Sequence, residues 1–138
     1  MSYAKWARAV ITDASDITDL VSTRVTPYLR NRETGFPCIV YSVPREELET
    51  VAGGAIQTRN VELQVQCMSR SHIEADQIAE QVLEHVTAQT VTDSGSGETI
   101  QCVEAVRPLS IEREFQDSYD GSPDLIYITT VSMNLTGA

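Results

Sequence analysis

His72, His85, Cys38, Cys67 and Cys102 are the imidazoles and thiols of this chain. Two histidines acting on one metal or in one proton relay along a helix must share a face. The step from 72 to 85 turns a helix through roughly 1300°, which leaves the rings about 140° apart. Both therefore read as surface histidines. A Cys–His nucleophile needs a base beside the thiol, and Cys38 or Cys67 with His72 is the conceivable pairing. Each cysteine instead lies in a β-like run where a small apolar side chain packs well, and none forms a CxxC pair. They read as buried free thiols, and their odd number argues against a secreted disulfide framework. Five carboxylates between 112 and 124 (Glu112, Glu114, Asp117, Asp120 and Asp124) invite a calcium reading. Their spacing lacks the alternating ligands and terminal glutamate of a calcium loop, so a solvated loop or an acidic contact surface is the better reading. GxSxG, HExxH, GxxxxGK and GxGxxG are all absent, and Gly95-Ser96-Gly97 is too short for a phosphate-binding turn. The expectation is no catalytic residue, no cofactor and no metal site, hence no enzyme.

Composition narrows the partners. Ten basic against twenty acidic residues give a net charge of −10, which disfavours sequence-independent binding to a polyanion. Arg24, Arg30 and Arg32 could form a local basic patch; the plainer reading is surface charges in a loop. A chain of 138 residues suits one domain, 1–138, with a core of its own. No run reaches membrane-spanning length and Met1–Trp6 lacks an apolar signal core, so the expectation is synthesis in a cytoplasm and no membrane partner.

The elements follow from period and punctuation. Trp6, Ala9 and Val10 lie on one side of a helix over 2–13, with Trp6 read as core. Ser15 or Asp16 caps a second helical turn carrying Ile17, Leu20 and Val21, ended by Thr26-Pro27. A short strand follows, then a charged loop to Gly35. Cys38–Val43 is an apolar run suited to a strand covered on both faces, and Pro44 is expected to stop its ladder. Pro44 to Ala55 then reads as a long hairpin connection or flap. Over 59–68, Val61, Leu63, Val65 and Cys67 alternate with Glu62, Gln64 and Gln66, which predicts a half-buried strand with a polar face. Ser71 to Glu74 is a capping box, and Ala75, Ile78, Ala79, Val82, Leu83 and Val86 line one side of a helix to about Ala88. Ile100–Ile111 and Leu125–Leu135 complete the strands. The order α-β-β-α-β-β predicts an α+β fold, an antiparallel sheet of about four strands with helices packed on one face.

This pattern resembles the tail-completion or tail-terminator proteins of long-tailed bacteriophages over nearly the whole chain. The resemblance rests on the aromatic N-terminal helix (Tyr3, Trp6), Leu20-Val21 with Arg24-Val25 and Pro27, and Pro37-Cys38-Ile39-Val40-Tyr41. It continues through Val61–Cys67, Ser71–Val86 and Leu125–Leu135. It implies a virion protein of the head-proximal tail end that forms a homo-oligomeric, hexameric ring. Such a ring caps the tail tube, terminates its polymerisation and joins the head connector, while DNA passes through without specific binding. The candidate interface lies on surfaces the core does not need: Glu46, Glu47, Leu48 and Glu49, the polar face Glu62, Gln64 and Gln66, and Asp117 and Asp120. Two alternatives stay open: another neck or tail-tube subunit of the same assembly, or a small ligand-binding α+β domain.

Overall fold

The alternation of Val61, Leu63, Val65 and Cys67 with Glu62, Gln64 and Gln66 forms a strand, β3 (Ile56–Ser69), because side chains on a strand point to opposite faces in turn. All four apolar residues of that set are buried. The computed structural model describes residues 3–28, 30, 35–50, 56–87, 90–92, 99–106, 112–117 and 123–137. For 3–5, 45–50, 56–60, 86–87, 90–92, 99–106, 117 and 136–137 it describes the backbone only.

β3 sits between two long antiparallel partners. On one side, β2 (Cys38–Thr50) pairs with it from Cys38↔Met68 to Thr50↔Ile56. On the other, β7 (Pro123–Gly137) pairs from Ser69↔Tyr127 to Arg59↔Gly137. A three-residue strand, β1 (Val25–Pro27), adds to β2 in parallel. The far side of β7 is shared lengthwise. β6 (Glu112–Asp117) pairs with its first half, β5 (Thr99–Val106) with its second, and β4 (Thr90–Thr92) pairs outside β5.

Three helices cover one face of this sheet: α1 (Tyr3–Asp13), α2 (Ser15–Val21) and α3 (His72–Thr87). Trp6, Ile11, Ile17 and Ile78 meet Ile39, Leu63, Val131 and Met133 in one core. Trp6 is fully buried in it, as its helical face predicts, and its indole N–H finds no hydrogen-bond partner among the described residues. The opposite face carries a smaller cluster at one end, Cys38, Val40, Met68, Ile126 and Ile128, with Phe36 packed against it. The 38–41 run is thus buried on both faces, as expected of so continuous an apolar stretch.

The fold is α+β with helices on one face, and several expectations need correction. The sheet has seven described strands, not about four, and the β1–β2 pairing makes it mixed, not antiparallel. The order is α-α-β-β-β-α-β-β-β-β. Pro44 does not stop the ladder: the register shifts between Ser42 and Arg45 and then resumes, so the proline falls in an irregularity where its missing N–H costs no ladder bond. The first half of the expected Pro44–Ala55 connection, Arg45 to Thr50, is therefore paired strand, with 51–55 outside the described residues. Glu112–Asp117 is strand β6, not loop. α2 is capped at Ala14 with no side-chain hydrogen bond, not by Ser15 or Asp16, and it ends at Val21, before Thr26-Pro27. Ser22, at φ 55°, turns the chain toward β1.

The start of α3 departs from the expected reciprocal box. Glu74 N–H lies 3.5 Å from Ser71 Oγ, a long capping contact. The Glu74 carboxylate does not reach back to the Ser71 N–H. Buried Ser69 stands between them: its hydroxyl accepts from Ser71 N–H at 3.1 Å and donates to Glu74 Oε1 at 2.7 Å. The last residue of β3 thus ties the strand to the first turn of the helix packed on it.

Two predictions follow from this packing. Ile78→Asp buries an unpaired carboxylate beneath α3 and should cost several kcal/mol, on the order of 3 or more, read by denaturant unfolding. Ser69→Ala and Glu74→Ala should each cost about 1–2 kcal/mol, and the double variant little more than either alone, because both break one relay.

Candidate assembly interface

No described helix packs on the side of the sheet opposite α1, α2 and α3, here the open face. Gln64 lies between Ser42 and Ser132, Gln66 between Val40 and Thr130, and Glu62 between Arg45 and Asn134. Gln64 Nε2 donates to Glu62 Oε1 at 3.4 Å. The structure thus brings the predicted Glu62, Gln64 and Gln66 together on one face, each half-buried beside hydroxyl and carboxamide neighbours. Such a surface hydrates well and offers hydrogen bonds with little charge.

The other candidates are spread out. Glu46, Glu47, Leu48 and Glu49 pair with Val61, Asn60, Arg59 and Thr58 along the far arm of the β2–β3 hairpin. Asp117 is the end of β6, opposite Pro123, and Asp120 lies outside the described residues. Asp124 pairs with Arg70 at 2.8 Å, and the described residues hold no cluster of three possible metal ligands.

At the apolar end of the open face, three guanidinium groups converge where sequence reading placed a loop. Arg30 lies over the Phe36 ring at 4.3 Å and Arg70 at 5.6 Å. Arg30 Nε also donates to Gln116 Oε1 of β6 at 2.9 Å, and Arg24 Nε donates to the Pro37 carbonyl at 2.7 Å. Of the predicted basic patch, Arg24 and Arg30 belong here, and Arg32 lies outside the described residues. Arg70, far away in sequence, was missed; the signal was its position just past a strand whose even-numbered residues face this side.

Sequence reading also missed a small apolar patch. Phe115 on β6 and Leu125 on β7 are direct cross-strand partners, 73% and 39% exposed. A single aromatic residue amid the charges of 112–117 was the available signal. The neighbouring Tyr127 meets the edge of the His72 ring at 5.7 Å.

The reactive side chains are placed apart. His85 Nε2 lies 3.3 Å from Asp16 Oδ2, bridging α3 to α2, while His72 stands over Tyr127. Burial pushes the Cys38 thiol up to about 11, against the opposing pull of Arg30 and Arg24. Burial, with a lesser push from Cys38, raises Cys67 further still. Both thiols are held protonated, the state least suited to nucleophilic attack. The side chain of Cys102 lies outside the described residues, its backbone within β5.

The model of the family described as tail completion protein gp17 matches residues 8–125, a span running from the first helix into the last strand. The chain belongs to the gp17 tail completion family. It is a structural protein of a phage tail. In fold it is similar to a chain from the virion of a native gene transfer agent particle, at a TM-score of 0.50 and 14% identity, covering 99% of this chain and 100% of that one. At that identity the likeness is one of fold. No curated protein sequence matches.

For this tail completion protein the thiol positions carry a signed pH dependence. Cys38 is raised in the folded state relative to an unfolded thiol near 9. Between about pH 9 and 11 the unfolded chain loses that proton while the folded chain keeps it, so stability is full below about 9 and falls as pH rises. The expected slope is about 1.4 kcal/mol per pH unit per thiol. Urea unfolding at pH 8 and 10 should show a smaller loss for Cys38→Ala than for the parent; equal losses would mean that this thiol is not buried.

Proposed function

We propose that the chain is the subunit of a ring that completes the tail at its head-proximal end. The ring, of six copies, docks on the last layer of the tail tube, ends its polymerisation and offers its other side to the head connector. The observation that carries this reading is the family match over 8–125, which takes in the helical layer and the central strands together.

The physical case is one of surfaces. A contact between two different patches of identical subunits closes into a ring when its rotation closes, and otherwise grows as a filament. A closed ring that matches the tube on one side need not offer a tube-subunit site on the other, so growth stops there. The half-polar open face of the sheet and the β2–β3 hairpin are surfaces beyond what the core uses, and they suit contacts with a neighbour, the tube or the connector. A net charge of −10 suits a conduit that DNA crosses without adhering.

The hairpin gives a direct test. A one-sided cut such as 47–53 would leave paired β3 residues without partners. Replacing residues 50–57 with an Asn-Gly turn instead joins Glu49 to Thr58, which already face each other, and two-residue turns of this type fit antiparallel strands. The shortened protein should melt close to the parent yet fail to restore particle formation in a phage lacking the parent gene. That phage itself should give tails of uncontrolled length and unjoined heads. Normal-length tails joined to heads in the absence of the protein would contradict the proposal, and long tubes formed by the purified chain would favour a tube subunit.

A further inference from the structure

The chain separates its charges between two flanks. The helical layer carries Asp13, Asp16 and Asp19 on α1 and α2 and Glu80 and Glu84 on α3, all exposed. The His85–Asp16 contact ties α2 to α3, which sets the carboxylates of the two helices on adjoining elements. The opposite flank carries the arginine cluster around Phe36, beyond the second apolar cluster of the sheet. Arg24 and Arg30 both lie close enough to Cys38 to act on its thiol, and the Arg70 side chain is 62% exposed.

We propose that this arginine cluster is the receptor for the acidic α2–α3 surface of a second copy of the chain. The inference rests on the ring reading and names the two patches that meet. A heterologous ring requires two different, complementary surfaces on separate flanks of one subunit, and these two are opposite in charge and lie on opposite faces of the sheet. Phe36 beneath Arg30 and beside Arg70, and the Pro37 carbonyl bonded to Arg24, hold the guanidinium groups in place before binding, so less side-chain freedom remains to be lost on contact. A planar guanidinium also suits carboxylate acceptors. DNA phosphate is the other anion in the particle, but a duplex carries a far denser negative charge than a helix surface, so the net charge of −10 repels it more strongly. Asp124, 2.8 Å from Arg70, and Glu114 beside Gln116 lower the charge of the cluster toward either anion.

The test uses two charge-reversed forms of the full chain. The first is Arg70→Glu, which makes both patches acidic. The second is Asp13→Arg with Asp19→Arg and Glu80→Arg, which sets three arginines against Asp16 and Glu84 and so makes both basic. All four positions are exposed, and Arg70→Glu gives up one partly exposed ion pair, so each form should unfold close to the parent. In analytical ultracentrifugation at low salt, each form alone should associate at least tenfold more weakly than the parent. An equimolar mixture should recover association in alternating rings of even number, and added salt should weaken parent and mixture together. If each form alone associates as well as the parent, the patches named here are wrong while the ring reading stands. If the parent shows no association at any concentration, the ring reading falls and this interface with it. If Arg70→Glu abolishes binding of a duplex oligonucleotide and leaves self-association unchanged, the cluster is a phosphate site and the proposal is overturned.

Discussion

The β3–β7 ladder is the constraint on which the rest of the molecule depends. Its register sets Val61 beside Leu135, Leu63 beside Met133 and Val65 beside Val131, all buried on the helix side. A slip of one residue would turn that apolar set to the open face and bury Glu62, Gln64 and Gln66 in its place. Burial against the helices therefore fixes the register, and the register in turn fixes where every polar residue of the open face stands. β2 follows from the same ladder, with Ile39 and Tyr41 joining the main core while Cys38 and Val40 build the second cluster.

The helices are tied to this ladder by chemistry as well as packing. Ser69 ends β3 and, through its hydroxyl, joins Ser71 N–H to the Glu74 carboxylate, so the strand sets the point at which α3 begins. Arg8 Nη1 donates to the Val25 carbonyl at 3.0 Å, which brings α1 against the edge strand β1 and occupies an acceptor a stray strand would seek. With Pro27 offering no N–H on the same strand, that edge of the sheet is poorly suited to further pairing. Growth by strand addition at β1 is thereby discouraged.

Where one period dominated, the sequence was readable. β3 announced itself by strict alternation, α3 by its capping serine and apolar stripe, and β7 by Val131, Met133 and Leu135 two apart. Elements held by long-range pairing were not readable. β1 is three residues long, too short for any period, and exists because β2 lies beside it. β6 reads Glu-Arg-Glu-Phe-Gln-Asp, with no apolar alternation, because an edge strand whose residues are mostly exposed needs none. The hairpin arm past Pro44 was hidden for a different reason, since a proline argues against a ladder unless a bulge receives it. The polar candidates Glu62, Gln64 and Gln66 were legible as a face because alternation places them there. The arginine cluster was not, because Arg30, Arg70 and Gln116 meet only in the folded chain.

These features describe a scaffold whose interior is specified by alternation and whose two flanks carry unlike charge. Family membership gives that scaffold a place in a phage tail, and the proposed ring gives the flanks a purpose. The most direct measurement of that claim is electron microscopy of assembled particles carrying the protein with a gold label. The account predicts label confined to one layer between the tail tube and the head. Label spread along the length of the tube would contradict it.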